Sequence, residues 1–331
     1  MECMSRMILV AAALSFALSA SAWEAKSHDD PYGKLAHAVS SDLRIGDAAH
    51  YGGVTVYSVI RDGSARTSAD WLTLEEAMAT RAVVVTESAG GGSVPTLAFS
   101  NRGQVPVFGM GGELIRGGNQ DRILTQDVIL PPAQSTLVSV NCVEQSRWSQ
   151  AGSGQFKYGG RAETALRQVV HIDDQTSTWH MVAALNARRG HTDSAYVGQT
   201  NLVAAQSDKY VRELMPALQK HRDAVGLVVA IGPRIIASDV YADPALFAKV
   251  RDEALEGYVL DALGKNGVPQ WTLPPSSDQA TWFLRDALAS VEIDEERGVG
   301  GWEEELDGTV SRSYAFRRGA GQLVHLATYA E

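Results

Sequence analysis

Apolar and polar positions alternate in short runs through the first half of the chain. A strand reading begins at Tyr51, where VTVYSVI alternates and is rich in β-branched residues. The polar stretch RDGSARTSAD breaks the run, and LEEAMAT follows as a short helix. Asp70 or Thr73 serves as its cap, with Glu75 and Glu76 in the first turn, where negative charge is favoured. AVVVTES, VPTLAFSN, VPVFGM, ELI, ILTQDVIL and STLVSVNCVEQ continue the strand pattern. The turns between them are GGGS, Asn101-Arg102-Gly103, GGNQD and Pro131-Pro132. Short strands at this spacing predict a sandwich- or barrel-like body over residues 46–150.

The second half, residues 160–331, is mixed α/β. SQAGSGQFKYGG has no clear period and reads as a linker or a flap. Residues 161–200 are ambiguous: ALRQVVHI is compatible with a strand, and STWHMVAALNARRG fits helix or strand equally. Residues 203–223 are helical, with Tyr210, Leu214, Ala217 and Leu218 on one face and Pro216 as a kink or restart. GLVVAIG and IIASDVY form a hairpin. The longest helix lies near 243–264: Asp243 caps it, Pro244 takes its first position, and Leu246, Phe247, Val250, Ala254 and Tyr258 make an apolar stripe. ATWFLRDALASVEI, SRSYAFRRG and QLVHLATYA read as strands. The fold class is therefore α+β, with one domain or two left open.

The N-terminus changes the picture. Arg6 precedes the apolar run MILVAAALSFALSA, and Ala20-Ser21-Ala22 supplies small residues for cleavage. Residues 1–22 have the form of a secretory signal peptide, cut after Ala22, and the polar residues 23–45 form a mobile N-terminal segment. The run is short for a spanning helix. The expected protein is periplasmic or secreted, with no stable membrane insertion after cleavage. Cys142 is then the one cysteine left, so no internal disulfide forms. The 331-residue chain has a formal net charge of −10, which argues against nucleic-acid partners. Glu292–Asp307 holds eight acids and one arginine, and reads as a solvated loop rather than a cation cage.

Signature motifs are absent: there is no HExxH, CxxC, GxSxG or Walker loop, and GGG at 90–92 is no dinucleotide fingerprint. Neither a cofactor nor a metal is expected. What remains is Glu113 to Trp148. Glu113, Gln120 and Arg122 surround the Gly117-Gly118 turn, and Glu144, Arg147 and Trp148 follow Cys142. Glycines admit a ligand to the backbone, arginine forks suit phosphate or carboxylate, and tryptophan offers a ring platform. The bland alternative is a set of structural ion pairs, such as Glu113 with Arg122 or Glu144 with Arg147.

GELIRGGNQDR followed by VSVNCVEQSRW resembles the motif block of the ARG and rhodanese-phosphatase-superfamily-associated protein domain family, which runs approximately GEEL-GGKQNR and PVSCVEQGRW. The likeness spans about residues 45–330 and is dense at 106–148. It implies a role in handling ADP-ribose-like or other NAD-derived ligands. Carried over, the motif positions are Glu113, Gly117, Gly118, Gln120, Arg122, Cys142, Glu144, Arg147 and Trp148. Asn119 and Asp121 stand where the family has lysine and asparagine, which removes positive character.

Three functions follow as expectations. The first is binding of a small phosphate- or carboxylate-bearing ligand, nucleotide- or sugar-derived, by Glu113, Gly117, Gly118, Gln120, Arg122, Glu144, Arg147 and Trp148. The second is a hydrolase with Glu113 and Glu144 as its carboxylate pair. The third is a structural or envelope-interaction protein.

Overall fold

The computed structural model describes residues 42–63, 71–88, 95–145, 155–172, 174–198, 201–263, 273–319 and 321–331. The signal segment, residues 23–41, and Arg147 and Trp148 lie outside the described residues. The fold is α+β, as expected, with three sheets among the described residues.

The largest sheet has eight antiparallel strands: β1 (Leu43–Tyr51), β2 (Val54–Arg61), β12 (Ala224–Ile231), β13 (Arg234–Tyr241), β17 (Gln322–Ala330), β16 (Ser311–Arg318), β15 (Gly301–Asp307) and β14 (Val291–Gly298), in that spatial order. Its two faces are both covered. Leu227 and Val229 of β12 pack with α4 (Asn201–Gln219) and α5 (Pro244–Ala262). Val228 and Ala230 pack on the opposite face with Phe283 and Leu284 of α6 (Ser277–Leu288). Burial on both faces is why GLVVAIG reads as an unbroken apolar run.

The second sheet has six strands in the order β11 (Lys157–Arg161), β7 (Glu113–Arg116), β8 (Arg122–Leu124), β10 (Gln134–Cys142), β5 (Thr96–Asn101) and β4 (Val83–Glu87). It curls into a half-barrel around Val83, Val85, Leu97, Phe99, Ile115, Leu124, Val138 and Val140. Outside it, Leu114 and Ile123 pack on α2 (Thr164–Ile172) and α3 (Gln175–Arg188). The third sheet, β3 (Leu72–Thr73), β6 (Val107–Gly109) and β9 (Val128–Leu130), is the wall between the two larger ones. Val107, Val128 and Leu130 face the half-barrel, whereas Phe108 and Ile129 face the core of the eight-stranded sheet. Period-two alternation thus joins two cores through three short strands.

Several local expectations change. Residues 277–288 form helix, not strand: Ser276 and Gln279 make a reciprocal capping box, and Ala280, Phe283, Leu284, Ala287 and Leu288 share one buried face at helical spacing. ALRQVVHI is likewise helical, with Leu166 and Val170 turned inward one turn apart. The acidic stretch is a hairpin, β14 paired with β15, rather than a loop. Its exposed carboxylates line the sheet's outer edge, where charge discourages pairing with another chain. VTVYSVI is strand, β2, as expected, and a further strand, β1, precedes it from Leu43 and takes in residues 43–45 of the segment expected to be mobile. Helix α4 runs through Pro216. Thr73, not Asp70, caps α1 (Leu74–Ala79), its hydroxyl accepting from Glu76 N at 3.1 Å.

Candidate functional site

The stretch from Glu113 onward supplies strands β7 to β10, and its polar residues divide between two ends of the half-barrel. The first end is organised by the turn Met110-Gly111-Gly112. Gly112 has φ +87°, and a Cβ there would lie 2.3 Å from Arg167 Cγ, so only glycine lets the turn sit on that side chain. Met110 N donates to Glu113 Oε2 at 3.0 Å, and Gly111 N donates to Asp127 Oδ1 at 2.8 Å. The Tyr158 hydroxyl lies 3.2 Å from Glu113 Oε1 and 2.8 Å from Glu253 Oε2. A tyrosine has one proton to give, so the fully bonded arrangement has one carboxyl protonated and donating back. Burial pushes both carboxyls upward, and the charge of Glu113 pushes Glu253 further, to about 11. Arg161, paired with Glu113 across β11 and β7, opposes the rise at Glu113.

From Arg161 a chain of buried polar groups crosses the molecule. Arg161 Nη1 donates to Asp239 Oδ2 at 2.7 Å. The His325 ring bridges two carboxylates, Asp239 Oδ1 at 3.2 Å and Asp127 Oδ2 at 2.6 Å. Arg167 lies 3.8 Å from Asp239 and 4.2 Å above the Tyr258 ring. Burial alone would lower the His325 pKa, but Asp127, then Asp239, holds its proton and raises it to about 9. Asp239 is drawn well below the usual carboxylate range by Arg161, His325 and Arg167, against its own burial. The sequence reading missed this cluster because its members lie on five separate elements and the loop before β9. The available signal was a lone charge inside an apolar strand: Asp239 in IIASDVY and His325 in QLVHLAT.

The second end gathers Gly117, Gly118, Gln120, Arg122, Cys142 and Glu144, together with Glu87 of β4, which the sequence reading did not single out. The glycines take φ +117° and +55°, and Gly117 N donates to Asp121 Oδ1 at 2.8 Å, closing the turn. A Cβ on Gly118 would collide with Phe156 and Glu87. Asn119 N donates to Glu87 Oε1 at 2.8 Å, and Gln120 Nε2 donates to the Glu144 carbonyl at 2.9 Å. Arg122 is wholly buried, yet weakly held. Its Nη1 donates to Gln120 Oε1 at 3.3 Å, and its Nη2 stands 4.0 Å from Glu87 Oε2. Arg122 Nε and Nη2 and Glu87 Oε2 are buried without hydrogen-bond partners. Burial pushes the Cys142 thiol up despite Arg122, which fits a packed thiol rather than a nucleophile.

Glu113 and Glu144 therefore have different partners. Through the ladder Ile115–Arg122–Cys142, Glu113 stands level with Val140, four residues short of Glu144. That is roughly 13 Å along the strand, beyond the 5–9.5 Å or so between the carboxyls of a glycosidase pair. The Glu113–Arg122 ion pair is not among the salt bridges of the described residues; the cation beside Glu113 is Arg161.

A cavity of about 340 Å³ opens where the half-barrel fails to close. The strands that line it, β4 (Val83, Val84, Val85) and β11 (Lys157, Tyr158), are the two edges of the six-stranded sheet, and α1 contributes Glu75, Met78 and Ala79. Arg81 and Lys157 are exposed at this seam, and among the described residues neither has an ion-pair partner. Arg81 has φ +61° just past the end of α1, a position that favours glycine. Phe156 lines the cavity and also packs on Gly118, so the seam leads to the Arg122 end. A second cavity, about 440 Å³, lies beside the start of α5 and touches none of the motif residues.

A model of the family described as the ARG and Rhodanese-Phosphatase-superfamily-associated Protein domain matches residues 42–329. The chain belongs to this family. Searches of curated proteins and of solved structures give no match. The family match covers nearly every described element, so both ends of the half-barrel and the seam between its edges are parts of the family domain.

Proposed function

We propose that the protein binds a small phosphate- or carboxylate-bearing ligand in the seam of the half-barrel. The observation that carries this reading is that Arg81 and Lys157, neither with an ion-pair partner among the described residues, are brought from opposite sides to one cavity. Two such cations suit a dispersed anion such as pyrophosphate. Phe156 supplies an apolar ring face, and Gly117-Gly118, Gln120 and Arg122 form the inner end behind it. In this reading Glu144 orients Gln120 and the turn, and Glu113 stands behind Tyr158 rather than against the ligand. The separation of Glu113 from Glu144 lends no support to hydrolysis by that pair. The leader-like residues 1–22 support a site outside the cytoplasm, and the N-terminal mass of protein recovered from a secreting host checks it.

The experiment is a thermal-shift titration of the chain from residue 23 with phosphate, pyrophosphate and ADP-ribose, beside Arg81→Ala and Lys157→Ala. A ligand at about 100 times its dissociation constant adds about 2.7 kcal/mol. The expected result is a rise in melting temperature with pyrophosphate or ADP-ribose that both substitutions abolish. Equal responses in wild type and variants would end the proposal, and no response to any probe would favour a structural role.

A further inference from the structure

The second cavity lies apart from the seam, and two residues in its walls carry buried polar atoms that nothing satisfies. One wall is the start of α5; the other is the turn between α4 and β12, with His221 and Arg222. Its volume of about 440 Å³ falls in the range of roughly 300–1,000 Å³ that small ligands occupy. Asp243 lines it and is 3% exposed. Its Oδ1 does the capping, accepting from Ala245 N at 2.6 Å and Leu246 N at 3.3 Å. Its Oδ2 is buried with no hydrogen-bond partner among the described residues. A cap needs one oxygen. A second oxygen left buried and unbonded costs free energy that serine, an equally good cap, would avoid.

Arg251 lies about two turns further along α5, on the face that carries Asp243 and Phe247 at intervals of four. It lines the same cavity. Its Nε is buried without a partner, and the carboxylate beside it, Asp252 Oδ1, stands 3.6 Å away, too far for a hydrogen bond. Long side chains on a helix lean towards its N-terminus, which brings this guanidinium back towards the cap. Arg222, exposed on the opposite wall, has no ion-pair partner among the described residues. The neighbouring cations are engaged: His221 Nε2 lies 2.7 Å from Asp47 Oδ2, and Arg61 donates to the Ala242 carbonyl.

One cavity therefore joins a carboxylate oxygen in need of a donor to guanidinium groups in need of acceptors. A lone anion would leave Oδ2 unbonded and set its charge against the carboxylate. A lone cation would do the same to the arginines. A molecule that carries both charges close together engages each, and hydrogen bonds between charged groups are the strong ones. Pro244 and Phe247 add apolar wall.

We propose that this cavity binds a free amino acid: its ammonium on Asp243 Oδ2, its carboxylate on Arg251 and Arg222, and an apolar side chain against Phe247 and Pro244. The site is separate from the seam and does not rest on it. Asp243 then has two roles, one oxygen for the helix and one for the ligand.

The test is calorimetric titration of the chain from residue 23 with leucine, its α-hydroxy analogue and isoamylamine. The hydroxy acid lacks the ammonium, and isoamylamine lacks the carboxylate. Wild type should bind leucine at least about tenfold more tightly than either, since a site built for a hydrogen bond rejects the analogue that cannot make it. Asp243→Asn keeps the cap, because asparagine caps as well as aspartate, and removes the carboxylate. Leucine should weaken by at least about tenfold in that variant, and the hydroxy acid much less. Arg222→Ala, on the surface, should weaken leucine and the hydroxy acid alike. Three outcomes overturn the proposal: no binding of leucine, a hydroxy acid that binds as tightly as leucine, or an Asp243→Asn that binds leucine as wild type does. Should Asp243→Asn not fold, the order of the three probes in wild type and their response to Arg222→Ala decide.

Discussion

Two arginines in strands of the same six-stranded sheet are buried to almost the same degree, and their surroundings differ sharply. Arg161 holds Asp239 at 2.7 Å and through it His325 and Asp127, so an edge strand of the six-stranded sheet, two strands of the eight-stranded one and the residue before β9 meet in one ion-paired cluster. Arg122 has one hydrogen bond at the long end of the range, and its nearest carboxylate stops at 4.0 Å. Burial alone therefore does not say what a charge does. Close ion pairs at the centre hold the sheets together; Arg122 has no carboxylate that close.

The largest effect expected from this contrast is at Asp239. Asp239→Ala leaves Arg161, Arg167 and His325 facing one another without their shared carboxylate. Removing one partner of a buried pair costs about 3–5 kcal/mol. Urea denaturation should show a loss of that order, and a loss below about 1 kcal/mol would mean that the cluster is not holding the sheets.

The same cluster gives stability a pH dependence. His325 is raised to about 9, so its contribution is complete below its unfolded value near 6.5 and is lost as pH rises through about 9. Glu253, pushed up by burial and then by Glu113, acts in the same direction, because the folded state keeps a proton that the unfolded chain has released. Asp239 is shifted downward, so its contribution is lost only on the acid side of the usual value near 3.8. His325 alone should lower stability by up to about 3 kcal/mol between pH 6.5 and 9, and Glu253 adds to that fall. Denaturation midpoints across that range check it, and His325→Gln should make the slope shallower, leaving the part due to Glu253.

Arg122→Met sharpens the comparison from the other side. Replacing a poorly matched buried charge with an apolar side chain of similar length is often neutral or stabilising. A change within about 1 kcal/mol of wild type is expected, of either sign. A loss as large as that of Asp239→Ala would make Arg122 a structural residue.

The same physics explains what could be read in advance. Periodicity is a local signal, so most strands of the half-barrel, the Asp243-capped helix and the Gly-Gly turn were legible in the sequence. The stretch 280–288 was misread because Phe283, Leu284, Ala287 and Leu288 are apolar enough to suit a strand, and Ser276 and Gln279, which fix the helix, lie outside or at the edge of that window. The motif placed Gln120, Arg122 and Glu144 together because all three lie on one hairpin-linked ladder. It did not separate Glu113 from them, because strand register depends on partners that the run itself does not contain. Asp127, Asp239 and His325 meet only after three sheets have packed, and no local pattern records that. Glu87 was hidden as an ordinary polar strand end, AVVVTES, and its position opposite Arg122 follows from the curl of the sheet.

The smallest effect is at Arg81. Its φ of +61° disfavours any side chain with a Cβ, and glycine relieves that strain while raising the entropy of the unfolded chain. Arg81→Gly should therefore stabilise the protein slightly, by about 0.5 kcal/mol, while abolishing the pyrophosphate response. Ala133, with φ +54° in the turn after Pro131-Pro132, is the matched control. Ala133→Gly relieves the same kind of strain away from the seam and should leave pyrophosphate binding untouched. If both substitutions raise the urea midpoint and only Arg81→Gly loses pyrophosphate, the arginine is kept for the ligand at the expense of the fold. If Arg81→Gly keeps full binding, the strained arginine is a feature of the helix end alone, and Lys157 would have to hold the anion without it.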